Sequence, residues 1–270
     1  MEGAVFTLPG LDMARLADPA AGFFFAMLRI GAFLIASPAF GGRYCPIPVR
    51  IVAAICLTLP ILDQADLPGA DALARLSVVP VVMAELALGL TAGLVLTILF
   101  GAAAMAGDRI ANAAGLGFAM QVDPSIGGQS PVVAQIFSLA MIMVFITTDS
   151  HLVALRIVLD SYQAIPPGKV PDIGTLAAAG LKAGTAMFAM SATLMLPVVA
   201  GLLVLNLGVG IITRSAPQLN LFSVGFPLAI IAALVLLWLT VPQVTTGMSG
   251  IAQVGTEALN GIFTPGDEAR

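Results

Sequence analysis

Three kinds of residue in this 270-residue chain are candidates for chemistry: a serine between glycines, a single histidine, and isolated charges inside apolar runs. Gly247-Met248-Ser249-Gly250 has the GxSG spacing of an intramembrane serine protease. That chemistry needs a serine buried in a helix, within reach of a histidine that takes its proton. Here the serine falls in a stretch read as a polar tail, and the only histidine, His151, lies far upstream. The spacing therefore does not predict a nucleophile. One histidine and no HExxH also leave no zinc-protease site. Gly115-Leu116-Gly117-Phe118 lacks the third glycine and the preceding strand of a dinucleotide fingerprint, and no phosphate-gripping P-loop is present. No catalytic residue, metal site or cofactor is expected.

Charges inside apolar segments are costly and default to functional positions. Arg29, Glu85 and Lys182 are the three that stand out. The plainest expectation is that they pair with each other or with a partner subunit and so fix assembly. A proton or ion relay would more often show acids in several segments, and Glu85 stands alone in these.

The elements that must position these residues follow from composition. The chain is 59% hydrophobic and 10% charged, against about 25% charged in a soluble domain. Its mean hydropathy is +1.03. The useful unit of length is thus a membrane span of about 20 apolar residues. Eleven Lys and Arg against fifteen Asp and Glu give a formal charge of −4. The basic residues are scattered singly, so the basic patch that nucleic-acid binding requires is missing. Cys45 and Cys56 have neither a metal nor a disulfide spacing. The first 19 residues carry three acids and one Arg, which is not the basic start of a secretory signal, and the first apolar run is expected to be retained.

Six apolar runs are predicted as helices: Ala20–Phe40, Val49–Leu62, Val78–Ala106, Val132–Thr148, Leu176–Leu207 and Phe222–Val241. The second is short for a span. Pro197 and Gly201 interrupt the fifth, and His151–Tyr162 forms a shorter amphipathic piece after the fourth. The predicted fold is all-α: a polytopic, membrane-embedded protein of about six long hydrophobic helices, with broken helices and helical hairpins. Residues 1–19 read as a polar N-terminal segment, 20–241 as the membrane domain and 242–270 as a polar C-terminal tail. In the third run Gly89, Gly93, Thr97 and Gly101 recur every four residues, a row of small side chains that lets another helix approach closely. Loop charges give no consistent membrane orientation.

Gly107–Pro131 is different in kind. It mixes Gly, Asn, Gln and Asp with Leu116, Phe118 and Met120, and shows no helical stripe. Backbone of this sort between two spans is tolerated only where protein or a water-filled cavity lines it.

Several phrases, taken together, resemble one family. They are Ala84–Leu90, Gly115–Ala119 leading to Val122-Asp123-Pro124, Ser130-Pro131-Val132, Thr148–Leu152, Leu159–Tyr162, Ile165-Pro166, Asn206-Leu207-Gly208 and Ala216–Phe222 with Gly225–Leu228. Over residues 20 to 240 the chain resembles the FliR family of flagellar biosynthesis proteins, related to the T subunits of virulence type III secretion. The resemblance implies a non-enzymatic, pore-forming subunit of a protein export gate in the bacterial inner membrane, at the flagellar basal body. One copy would join several copies of FliP-like and FliQ-like subunits, with an FlhB-like subunit at the entrance, and exported flagellar proteins would pass as transient substrates. It also implies that the loop Gly115–Ser130 plugs the closed pore. There Gly115, Gly117, Leu116, Phe118 and Met120 would fill and seal the lumen, and Asp123-Pro124 would supply a turn. The alternatives are a virulence T subunit, or a small-molecule or ion transporter for which 107–131 would be a substrate site.

Overall fold

A computed structural model describes residues 13–42, 45–62, 65, 67–69, 78–116, 131–169, 171–216 and 225–264. Among these every regular element is a helix. In chain order they are α1 (Met13–Ala36), α2 (Pro38–Gly41), α3 (Ile47–Thr58) with a 3₁₀ turn (Leu59–Ile61), α4 (Val78–Ala113), α5 (Val132–Thr147), α6 (Ser150–Ala164), α7 (Ile173–Ser215) and α8 (Phe226–Phe263).

Among the described residues four helices are long and apolar enough to cross a membrane: Ala17–Ala36, Val78–Ala113, Ile173–Ser215 and Phe226–Phe263. A fifth span results if α5 and α6, bent by 68° at their junction, count as one. The protein is therefore a polytopic helical membrane protein. Each of the six apolar runs contributes to a helix, the sixth within its described residues from Phe226 on, but only four or five helices reach spanning length; the second run gives only the short helix Ile47–Ile61. The α5–α6 bend sits at Asp149, whose φ of 54° is left-handed, a conformation that Asp tolerates better than most residues.

Two expectations about helix ends are corrected. Pro197 and Gly201 do not interrupt the fifth run, which is one helix of 43 residues. A proline is tolerated inside a membrane helix because neighbouring helices, hydroxyl side chains and small local adjustments re-satisfy the freed backbone groups. The segment after Pro242, read as a polar tail, is helical as far as Phe263, where α8 ends. Its hydroxyl groups turn back onto their own helix. Thr240 donates to the Leu236 carbonyl at 2.8 Å, Thr245 to Val241 at 2.9 Å, Thr246 to Pro242 at 2.9 Å and Ser249 to Thr245 at 3.1 Å. Met248, Ile251, Ala252, Leu259, Ile262 and Phe263 then form a buried stripe at helical spacing.

The chain forms two compact units. The first comprises Met1–Thr97, Leu152–Leu181 and Thr256–Arg270, with α1 packed on α3 and on the first half of α4. The second comprises Ile98–His151 and Lys182–Gly255. Its interior includes Phe145, whose ring meets Phe100 edge-on at 5.0 Å.

Candidate functional site: a buried charge cluster and the root of the glycine-rich segment

In the first unit Arg29 of α1 and Glu85 of α4 are both fully buried. Arg29 Nε donates to Glu85 Oε2 at 2.8 Å and Nη2 donates to Oε1 at 3.0 Å, a two-pronged pair. The remaining donors reach α6. Nη1 donates to Ser161 Oγ at 3.0 Å and Nη2 to the Ile165 carbonyl at 2.9 Å. The guanidinium also lies 4.3 Å from the centre of the Tyr162 ring, and the Tyr162 hydroxyl donates back to the Ala26 carbonyl at 2.5 Å. Taking two ions out of water costs several kcal/mol each, so such a pair persists only when nearly all its polar atoms are satisfied. Here both carboxylate oxygens and all three guanidinium nitrogens have partners. Ile165 follows the last turn of α6, where the helix dipole favours a cation. The cluster therefore ties α1, α4 and α6 at one point.

The glycine row of α4 makes this approach possible. A Cβ at Gly89 would overlap the Arg29 carbonyl oxygen, and one at Gly93 would fall 2.5 Å from the Ala36 Cβ. Thr97, next in the row, donates its hydroxyl to the Ala36 carbonyl at 2.6 Å. Gly101 continues the row in the second unit, where its side faces Met187 of α7 at 3.1 Å. Lys182 is not part of the charge cluster; it lies exposed on α7.

In the second unit the structure describes both ends of the glycine-rich segment. Gly107–Ala113, read as its irregular start, instead belongs to α4. The helix stops at Gly115, which has a left-handed φ of 81°. The Gly115 N–H donates to Asn112 at 3.0 Å and the Leu116 N–H to Ala111 at 2.9 Å, the paired bonds of a glycine-ended helix. Asn206 of α7 donates its Nδ2 to the Ala113 carbonyl at 3.2 Å. The Phe226 ring, at the start of α8, covers Gly115 so closely that a Cβ there would lie 2.5 Å from Cε1. At the other end Pro131 caps α5, and Ala134 sits against Gly107 with room for no Cβ, at 2.7 Å. Leu116 is exposed at 38%. Gly117, Phe118, Met120, Asp123 and Pro124 lie outside the described residues.

The GxSG serine, Ser249, lies inside α8 rather than in a tail. Its hydroxyl is donated to Thr245 in its own helix. His151 packs its ring 6.5 Å from that of Phe145, and its buried Nδ1 has no hydrogen-bond partner among the described residues.

Sequence reasoning missed Ser161, Tyr162, Asn206 and Phe226 as members of these two sites. Asn206 carried a readable signal, since a lone amide in an apolar run needs an acceptor. Ser161 did not, because a serine hydroxyl in a helix is commonly satisfied by a carbonyl of its own helix, as Ser161 is by Val158.

Comparison with known proteins places these features in one family. The model for bacterial export proteins, family 1, matches residues 20–254. The flagellar biosynthetic protein FliR of Pectobacterium carotovorum is 31% identical over 82% of this chain and 85% of its own length. The FliR proteins of Escherichia coli and Bacillus subtilis are 31% and 30% identical over 82% and 83% of this chain, and over 85% and 88% of their own lengths. The matched span takes in the charge cluster, the glycine row and both ends of the 115–131 segment, and the chain belongs to the bacterial export protein family 1.

Proposed function

We propose that this chain is a structural, pore-forming subunit of the flagellar type III protein export gate. In this reading it resides in the bacterial inner membrane at the flagellar basal body and has no catalytic activity of its own. One copy assembles with several FliP-like and FliQ-like subunits, with an FlhB-like subunit at the entrance, and exported flagellar proteins pass through. The flagellar name carried by relatives from distant bacteria favours this over a virulence T subunit.

The observation that best supports a subunit is the contrast in helix burial. In the most apolar stretch of each span, α1 and α4 are 50% and 56% buried, whereas α7 and α8 are only 17% and 11% buried. Leu181, Phe188, Val204, Ile211 and Trp238 project from these two helices. Faces this large and apolar suit both lipid and neighbouring subunits. A transporter reading loses its best residue, because both oxygens of Glu85 are held by Arg29.

The 115–130 segment acts as the pore plug: glycines allow backbone to fill a narrow lumen, and apolar side chains exclude water and ions. Deleting the gene in its own bacterium should abolish release of flagellar subunits into the medium, and returning it should restore release. Undiminished release from the deletion strain would contradict the proposal.

A further inference from the structure

The plug reading says what the 115–130 segment does but not what sets the point at which it leaves α4. We infer that Asn206 and Phe226 are positioning residues that clamp this root. The inference rests on the plug reading for its functional consequence, while its structural part stands on described residues alone.

Two contacts and a backbone turn converge within three residues. The last carbonyls of any helix lack intrahelical partners. Ala113, the final residue of α4, has its carbonyl met by Asn206 Nδ2 at 3.2 Å. Asn206 is the only amide side chain between Ile173 and Ser215, all the rest of α7 being apolar or small apart from Lys182, Arg214 and hydroxyl residues. Two residues further on, Gly115 turns the chain with φ of 81°, and the Phe226 ring lies against it. Any side chain at 115 would meet both an unfavourable backbone conformation and the ring, with Cδ1 at 2.6 Å. The turn is thus held by an α7 donor on one side and an α8 ring on the other.

The test uses the complex assembled with its partner subunits, with two readouts on the same variants. Asn206→Leu removes the donor at similar volume, Phe226→Ala removes the ring, and Phe226→Leu keeps apolar bulk. Hydrogen exchange reads the amides of Ala114, Gly115 and Leu116, whose bonds to Ile110, Asn112 and Ala111 close the helix end. Asn206→Leu and Phe226→Ala should speed exchange there at least about tenfold, with Phe226→Leu closer to the parent. Membrane ion leak should rise in the same order. In the pair Gly115→Ala and Phe226→Ala, the double variant should exchange more slowly than the product of the single effects requires, because removing the ring makes room for the added Cβ.

Unchanged exchange at 114–116 in both Asn206→Leu and Phe226→Ala overturns the clamp, whatever the leak. Faster exchange with no leak, in a strain where deleting Leu116–Met120 does leak, overturns its role in positioning. If that deletion does not leak, the plug reading fails, and exchange alone decides whether the clamp exists.

Discussion

Arg29 and Glu85, 56 residues apart in sequence, meet through two hydrogen bonds of 2.8 and 3.0 Å with no exposed side-chain surface on either residue. The pair is an internal strut of the first unit, and both its charges are consumed there. An assembly role for either residue would act through the shape of that unit.

The first prediction follows from this burial. Glu85→Ala leaves Arg29 charged, buried and unpaired, a loss of about 3–5 kcal/mol, enough to unfold many domains. The chain should fall to a small fraction of parental abundance in membranes, measured by immunoblot, even without its partners. Arg29→Lys should also fall, because a lysine cannot make the two-pronged pair and reach Ser161 and Ile165 together. Parental abundance of Glu85→Ala would show that the pair carries no stability.

A second prediction concerns helix approach. Gly93→Ala would place a methyl 2.5 Å from the Ala36 Cβ and 2.9 Å from the Phe33 carbonyl oxygen. Overpacking of this kind costs about 1–3 kcal/mol. Ala36→Gly should recover part of the loss in thermal unfolding of the detergent-extracted chain, since it removes the nearest of the three obstacles and leaves the two backbone ones. No change on Gly93→Ala would mean that α1 and α4 are not in close contact.

Deleting Leu116–Met120 tests the plug. The complex should form in normal amounts, yet cells should leak ions and lose membrane potential, read with a potential-sensitive dye. Normal potential would contradict the seal.

Asp172 offers a pH test outside the spans. Thr175 donates its hydroxyl to Oδ2 at 2.9 Å, and the Gly174 and Thr175 N–H groups donate at 3.2 and 3.0 Å. The Thr175 hydroxyl first, then these amides, hold the carboxyl below the usual carboxylate range. A lowered value means the cap contributes fully above the ordinary aspartate pKa of about 3.9 and fades as pH falls through the lowered one. Exchange of the Gly174 and Thr175 amides should therefore show a loss of protection on acidification that Asp172→Asn lacks. Identical pH profiles in the two proteins would remove the cap.

Much of this was legible in the sequence. Apolar run length located the helices, because a bilayer-scale segment must satisfy its own backbone. Small residues four apart marked the face of α4 that α1 approaches. What misled was polarity read without geometry. The stretch 242–270 looked like a tail, yet the hydroxyls of Thr245, Thr246 and Ser249 bond back to helix carbonyls and the helix runs on to Phe263. Gly107 looked like the start of a loop, although it is a contact point inside α4 where Ala134 packs. Arg29 and Glu85 stood out as costly charges, but their meeting depends on three segments far apart in sequence, and no local pattern encodes that.

The central claim, that this chain is one subunit of an export gate, is tested most directly by native mass spectrometry. The chain would be extracted in detergent after co-expression with its neighbouring FliP- and FliQ-like genes. The account predicts a discrete complex with one copy of this chain and several copies of each partner. A stable particle of this chain alone, with those partners present but unbound, would contradict it.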